Sequence, residues 1–307
     1  MKAIMVRQWG GSEQALIEEI ERPQPGPGEI LVHIKATSIN PLDWKIREGY
    51  LQDYVMLPTP LGSDIAGDIE AVGEGVEGWT VGTAVYGFKG MHGGAYANYT
   101  TVQPHEIARM PATLSYSEAA SVPHAASTAW TALVLTANVQ PGQRVLIHAS
   151  AGGVGHFAVQ IAKMKGAYVI GTASTGREQF LRELGVDEFI DYTATPFETA
   201  VKDVDVVLDT IGFDTAERSL GILKPGGWLL CLVTPPPAEA ASQRGLQTAY
   251  IGAASSTALL TEIARLIDAG SIRPYVQQTF EFSRIHDAMQ LSQGQHVQGK
   301  LAVTVED

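Results

Sequence analysis

Arg144 to Gly155 reads RVLIHASAGGVG and continues HFAVQIAKMKGAYVIGTAS, and few folds accommodate that run. Val145 to His148 form a short apolar strand. A glycine turn follows, a helix is expected to begin near Val154, and Tyr168 to Thr172 supply the next strand. This is a strand–turn–helix–strand unit of the kind that binds a dinucleotide. Gly152, Gly153 and Gly155 let the backbone turn tightly. With Val154 they would bring a pyrophosphate against the amides of the helix N-terminus. Ser150 occupies the first position of the usual GxGxxG, leaving SxGxxG, so the pattern is altered.

The rest of the chain organises around this unit. Up to residue 113 it is rich in strands and turns: MKAIMVR, EILVHIKAT and DIAGDIEAVGEGVEGWTVGTAVYGF alternate or run apolar between glycine and proline turns, without long helical periods. A β-barrel-like domain follows from that. From 114 the character changes. LSYSEAASVPHAASTAWTALVLTA is alanine-rich and helical, with Ser117 and Glu118 suiting a helix start and Pro123 a break. Beyond the glycine turn, helix 177–184, strand 188–192, strand 204–212, strand 224–234, the stretch LQTAYIGA and helix 256–269 alternate, as in a doubly wound parallel sheet. Residues 235–245, PPPAEAASQRG, are expected to form a flexible loop, since prolines oppose regular structure. The last segment, 271–307, reads strand, helix, strand and is expected to return to the first domain. The fold class is therefore α/β: a Rossmann domain over 114–270 and a β-barrel domain over 1–113 completed by 271–307.

Bulk properties narrow the function. The 307 residues are 45% hydrophobic and 18% charged, and the formal charge of −12 disfavours nucleic acid or an anionic membrane as partner. No run of about 18 apolar residues occurs, and MKAIMVRQWGG lacks the apolar stretch of a signal peptide, so a cytoplasmic protein is expected. Cys231 is the only cysteine. It cannot form an internal disulfide or build a cysteine-based zinc site, and its context, WLLCLV, is that of a buried apolar residue. The histidines are scattered, none in HxxxH spacing. The expectation is a metal-free protein.

NPLDWKIREGY (40–50), LGSDIAGDIEAVGEGV (61–76), HASAGGVG (148–155), LDTIGFDT (208–215) and HVQGKLAVTV (296–305) together resemble the medium-chain dehydrogenase/reductase superfamily, in its zinc-independent quinone oxidoreductase and enone reductase (zeta-crystallin-like) branch. The resemblance covers essentially the whole chain and implies a GroES-like domain joined to a Rossmann domain, with the active site between them. Zinc alcohol dehydrogenases of this superfamily place a cysteine near Ser38 to Asn40 and Gly-His-Glu where this chain has Gly62, Ser63 and Asp64. The departure agrees with the cysteine count.

The second strand of the Rossmann unit ends in Thr172, Ala173 and Ser174, where an NAD enzyme usually carries an acid for the ribose hydroxyls. Without that carboxylate, Ser174 and Arg177 can donate to a 2′-phosphate. The resemblance adds Tyr192, matching a family tyrosine that reaches the same phosphate, so NADPH is the expected cofactor. Gly212 ends a strand where the cofactor would cross, and Leu232, Val233 and Thr234 would pass the nicotinamide carboxamide. The resemblance also implies Thr128 beside the nicotinamide and phosphates, and Gly299 and Lys300 near the cofactor.

The resemblance places Asn40, Asp43 and Lys45 at the catalytic site. Asn40 would be a polar contact, and Lys45 would bond the cofactor ribose or polarise the substrate oxygen. Asp43 is either a cleft residue or the cap of a helix beginning at WKIREG. Trp44, Tyr50 and Phe88 are candidates for an apolar substrate wall, each also an ordinary core residue. His124 reads as a helix-break residue. Without a Lewis acid, hydride addition to a quinone or to the β-carbon of an enone is the favoured chemistry, because the charge spreads onto an oxygen that hydrogen-bond donors can meet. The rivals are an enoyl-thioester reductase and a non-catalytic NADPH-binding protein like the lens crystallins of this family. A homodimer, with the sheet extended near Ala249 to Gly252, is expected from the resemblance.

Overall fold

A computed structural model of the chain describes residues 1–294 and 297–306. The chain divides into two compact units, one comprising Met1–Ser127, Ser255–Gly270 and Pro274–Asp307, the other Thr128–Ala254 and Ser271–Arg273. Residues 114–127 and 255–270, placed with the Rossmann part on sequence, therefore pack in the first unit. The reason is a long-range contact. Helix Thr257–Asp268 buries Leu260, Ile263 and Ala264, and the Leu260 carbonyl accepts the Tyr86 hydroxyl at 2.6 Å.

In the first unit, β1 (Lys2–Val6) pairs antiparallel with β2 (Ala15–Glu19). The longest strands are β3 (Ile30–Ser38) and β5 (Asp64–Val72); the two-residue β4 (Thr59–Pro60) joins β1. β6 (Ala84–Phe88), β7 (Tyr99–Val102) and β8 (Ile107–Arg109) complete the N-terminal part. β3 pairs antiparallel with β5, with Ile34 opposite Gly67 and Ala36 opposite Ala66. A side chain at Gly67 would put its Cβ 2.0 Å from the His33 carbonyl, so only glycine admits this approach. Ile4, Ile30, Val32, Ile34, Ile65, Ile69, Val85 and Ile107 fill the core of this unit.

The second unit carries β9 (Arg144–Ile147), β10 (Tyr168–Ala173), β11 (Glu188–Asp191), β12 (Val204–Asp209), β13 (Leu223–Cys231) and β14 (Gln247–Tyr250). All five pairings are parallel and the order is β11-β10-β9-β12-β13-β14. That is the Rossmann arrangement, in which the order reverses beside the first strand and ligands sit at the carboxyl ends near that switch point. Its central strands β9 and β12 are nearly continuous buried apolar runs because both faces are covered. Leu146, Ile170, Val207, Leu229 and Cys231 form the core with Phe197 and Leu220.

The chain ends with β15 (Val276–Glu281) and β16 (Lys300–Thr304). β16 pairs antiparallel with β3, Ala302 opposite Ser38, which returns the last segment to the first unit's sheet. Of the motif HVQGKLAVTV, His296 lies outside the described residues.

Three sequence expectations are corrected. The helix after 114 is capped by Ser115 rather than Ser117: helix Tyr116–Ala120 has a capping box in which Ser115 Oγ accepts from the Glu118 amide and Glu118 reaches back to the Ser115 amide. Pro123 is not a break but the first residue of helix Pro123–Trp130, a position where its missing N–H costs nothing. Residues 235–245 are not a loop. Pro237 precedes helix Ala238–Gln243, whose Ala241 is buried, so the prolines set a helix start and the alanines behind them propagate it.

Candidate active site

The sequence-predicted residues fall into two groups, one in each unit.

In the first unit, β3 runs into helix Pro41–Arg47 through Ser38, Ile39 and Asn40. Asn40 is the helix N-cap. Its amide N–H donates to Asp43 Oδ2 at 2.7 Å, the returning arm of a capping box. Asp43 is not the cap of a helix begun by WKIREG: the helix starts at Pro41 and Asp43 lies in its first turn, bonded back to the Asn40 amide. The carboxylate is 1% exposed and also accepts the Tyr96 hydroxyl at 2.6 Å. Burial pushes its pKa up to about 7, against the pull of the Tyr96 and Asn40 hydrogen bonds.

Both ends of the Asn40 side-chain amide are engaged. Its Nδ2 donates to Asp64 Oδ2 at 2.7 Å and to Ser63 Oγ at 3.2 Å. Its Oδ1 accepts from Lys300 Nζ at 2.6 Å, and Lys300 also donates to the Ile39 carbonyl at 2.9 Å. Asp64 accepts a further bond from Ser38 Oγ at 2.6 Å, and its second oxygen accepts the His124 amide at 2.9 Å. His124, expected at a break, is the second residue of its helix, and Asp64 satisfies one of that helix's first amides. Burial holds the Lys300 ammonium and the His124 imidazole below their ordinary pKa values. Ser38, Ser63, Asp64 and Tyr96 are not selected on sequence; for the first three the signal is their position where zinc relatives differ, whereas no sequence signal marks Tyr96.

Trp44 is buried, with Tyr50 edge-on to it at 6.4 Å between centroids. Lys45 is half-buried, its Nζ 5.7 Å from the Trp44 ring centroid, and burial lowers its pKa. Tyr50 is 71% exposed, whereas Phe88 is core, packed at 5.3 Å against the His124 ring. Gly299 takes φ +66, and a Cβ there would meet the Tyr275 carbonyl at 2.2 Å. Gly299 thus lets β16 begin, and places Lys300 beside Asn40.

In the second unit, the glycine turn lies between β9 and helix Gly155–Met164, which no side chain caps. A Cβ on Gly155 would stand 2.3 Å from the Ala149 carbonyl, while one on Gly152 would stand 3.2 Å from it. The altered first position has a physical account: Ser150 Oγ and its own amide both donate to the Thr172 carbonyl at 3.0 Å, tying the turn to β10. Gly153 and Val154 are half-buried at the helix start, leaving first-turn amides for an anion.

Thr172 itself is turned inward, its Oγ1 3.1 Å from His148 Nδ1 and 2% exposed. His148 also meets Ser219 at 3.1 Å; burial lowers its pKa to about 3, so it stays neutral. Ser174, Arg177 and Tyr192 share one corner: the Arg177 amide donates to the Ser174 carbonyl at 3.3 Å and the Tyr192 amide to the Ala173 carbonyl at 3.2 Å. The acid in that corner is Asp191, the last residue of β11. It accepts from Thr175 Oγ1 at 2.5 Å and Thr193 Oγ1 at 2.6 Å, bonds that lower its pKa. Gly212 has φ +82, donates its amide to Asp209 and packs under Thr234, whose Oγ1 accepts the Phe213 amide at 3.1 Å. Leu232, Val233 and Thr234 are half-buried past the end of β13, and Thr128 is buried in helix Pro123–Trp130.

The profile of the alcohol dehydrogenase GroES-like domain matches residues 26–112, and that of zinc-binding dehydrogenases matches 184–303. The mitochondrial NAD(P)H oxidoreductase RTN4IP1 of Danio rerio is 32% identical, the match covering 91% of this chain and 84% of that protein. The chloroplastic NADPH-dependent alkenal/one oxidoreductase of Arabidopsis thaliana is 33% identical over 99% of this chain and 79% of its own. The quinone oxidoreductase structure from Coxiella burnetii superposes with a TM-score of 0.94 at 33% identity, covering 100% of this chain and 99% of that one. The protein is thus a two-unit oxidoreductase in class, a GroES-like domain with a Rossmann sheet. It belongs to the quinone oxidoreductase and enone reductase branch of the medium-chain dehydrogenase/reductase superfamily.

The name of the second profile raises the question of zinc, and the donor set here does not fit it. Among the described residues, no three His, Cys, Asp or Glu side chains group to hold a metal. Asp64 already accepts from Ser38, Asn40 and the His124 amide, and Lys300 Nζ stands 3.6 Å from it. An ammonium in that place repels a divalent cation.

Proposed function

We propose that this protein is an NADPH-dependent reductase of quinones or of the C=C bond of α,β-unsaturated carbonyls, working without a metal. The observation that carries the reading is the buried set around Asn40, organised by a lysine and an aspartate where a metal-dependent enzyme needs open donor atoms. NADPH, when bound, supplies a hydride. The residues' share is to hold the dinucleotide, present an acceptor and meet the charge that develops on its oxygen.

The uncapped helix start with Gly152, Gly153 and Val154 suits the pyrophosphate, and Ser174, Arg177 and Tyr192 suit the 2′-phosphate. Lys45 is assigned as the donor to the acceptor oxygen or the ribose, because its partly buried ammonium gives up a proton more readily than a solvated one. Asn40 and Asp43 set the helix that carries Lys45. Asn40 Nδ2 and Oδ1 and Asp43 Oδ2 are engaged inside the unit, so the two residues are assigned to positioning rather than to direct contact. Trp44 and Tyr50 are the proposed apolar wall.

No helix among the described residues is long and apolar enough to cross a membrane. Cytoplasmic residence is proposed on the ordinary composition and single thiol. The free edge of β14, which among the described residues pairs with β13 alone, is the proposed strand for pairing with a second copy.

The test is NADPH oxidation with 1,4-benzoquinone, trans-2-hexenal and crotonyl-CoA, with metal analysis of the same preparation. Turnover with the first two supports the reading, and turnover with the thioester alone replaces it by a thioester reductase. Tight NADPH binding without any turnover makes the protein a non-catalytic binder, and stoichiometric zinc overturns the metal-free mechanism. Arg177→Ala should weaken NADPH about tenfold or more and NADH little. Equal losses would remove the phosphate assignment.

A further inference from the structure

Three neighbouring strands decide what stands beside Asn40. In the β16–β3 pairing Ala302 lies opposite Ser38, the Ile39 amide donates to the Leu301 carbonyl at 3.0 Å, and Lys300 Nζ reaches Asn40 Oδ1 at 2.6 Å. In the β3–β5 pairing Ala36 lies opposite Ala66, which carries Asp64 opposite Ser38. Ser38 ends β3, Asp64 opens β5 and Lys300 opens β16, so these three strand ends come together, and Asn40, two residues past Ser38, joins them through its side chain. All four are at most 4% exposed.

The donors and acceptors then allow one arrangement. Lys300 Nζ gives hydrogens to Ile39 O and Asn40 Oδ1, and Asp64 Oδ2 takes hydrogens from Asn40 Nδ2 and Ser38 Oγ. Rotating the Asn40 amide by half a turn would point N–H groups at an ammonium and an oxygen at a carboxylate. A cation on one side and an anion on the other thus fix the amide. Asn40 is also the residue whose backbone opens helix Pro41–Arg47, bound back by Asp43.

We propose that Lys300 is a positioning residue: with Asp64 it clamps the Asn40 amide from opposite sides and thereby fixes the start of the helix that presents Trp44 and Lys45. Its ammonium works inside the first unit, on Asn40, and its contribution to turnover passes through that helix. Asp64 has a matching second task, since its other oxygen holds the first turn of helix Pro123–Trp130 through the His124 amide. The two charges fix the starts of two helices at once. The consequence for turnover rests on the reductase reading; the clamp itself does not.

The test separates stability from positioning. Lys300→Met leaves Asp64 buried without its counter-charge and should lower the melting temperature strongly. Adding Asp64→Asn removes the stranded charge, and the double variant should recover most of the melting temperature. Its kcat with 1,4-benzoquinone should stay at least tenfold below wild type, while the Kd for NADPH stays within twofold. Recovery of kcat together with the melting temperature overturns the proposal, since the pair would then be exchangeable packing. Lys300→Gln, which keeps a donor to Asn40 without the charge, should retain more kcat than Lys300→Met; equal kcat in the two counts against the clamp. A readout independent of turnover is the side-chain amide resonance pair of Asn40, assigned by its loss in Asn40→Asp. Its hydrogens should exchange slowly in the wild type and at least tenfold faster in Lys300→Gln. Unchanged exchange overturns the clamp, whereas absent turnover with slow, lysine-dependent exchange refutes only the reductase reading.

Discussion

Asp43 makes stability depend on pH in the direction opposite to that of an ordinary paired carboxylate. Burial raises its pKa from 3.8 to about 7. The folded chain therefore holds this proton more tightly than the unfolded chain. The stability it contributes is complete below about pH 4 and is lost as pH rises through about 7. At 1.36 kcal/mol per pH unit, the loss across that window is on the order of 4 kcal/mol. The charges facing it are Asp64, which raises the pKa, and Lys300, which lowers it, and the Tyr96 hydrogen bond also lowers it. Asp43→Asn keeps an oxygen for the Asn40 amide and the Tyr96 hydroxyl but has no proton to lose. Urea unfolding of both proteins at pH 5, 6, 7 and 8 should show the variant gaining on the wild type by about 1 kcal/mol per pH unit below 7 and levelling above it. The exposed pairs whose carboxylates are lowered, such as Glu18 with Arg7 and Glu262 with Arg265, have the opposite slope but are common to both proteins and cancel. Tyr96→Phe should move the levelling point to higher pH. A difference that stays flat within about 0.5 kcal/mol from pH 5 to 8 would refute the argument.

Two substitutions test the local geometry. Gly155→Ala forces a Cβ to 2.3 Å from the Ala149 carbonyl, so it should cost about 1–3 kcal/mol and abolish measurable NADPH binding by fluorescence titration. Gly152→Ala, at 3.2 Å, should do much less, and equal effects would show that the close approach is not what matters. Ser115→Ala should cost about 1 kcal/mol in urea unfolding by removing the cap of helix Tyr116–Ala120; an unchanged midpoint would mean Glu118 carries that helix start alone.

The Rossmann sheet was legible because its signals are local. An apolar strand, glycines at fixed offsets and an apolar helix period lie within one continuous stretch, and the strands from 144 to 250 fall within a few residues of their expected places. The errors also had local causes. Prolines were read as breakers at Pro123 and Pro237, yet at the start of a helix a proline removes an amide that has no partner anyway. Helix Thr257–Asp268 was found, but which unit it packs against depends on Leu260 and Tyr86, residues 174 positions apart. No window of sequence contains that contact.

The candidate site shows the same limit more sharply. Asn40, Asp43 and Lys45 are close in sequence and were selected together, but their roles are set by partners far away: Asp64, Tyr96 and, 260 positions on, Lys300. Lys300 was selected for the cofactor because the motif around it lies near one in the family. Its ammonium is instead spent on Asn40 and Ile39, because β16 returns beside β3 and brings it within reach of both. A motif names the residues that stay together in a family. Which of them touch a ligand and which hold the others in place is decided by strand register and by counting hydrogen bonds. On that count Asn40 and Lys300 have few bonds left to offer, whereas on this helix the half-buried Lys45 ammonium stands beside Trp44, whose buried Nε1 has no hydrogen-bond partner.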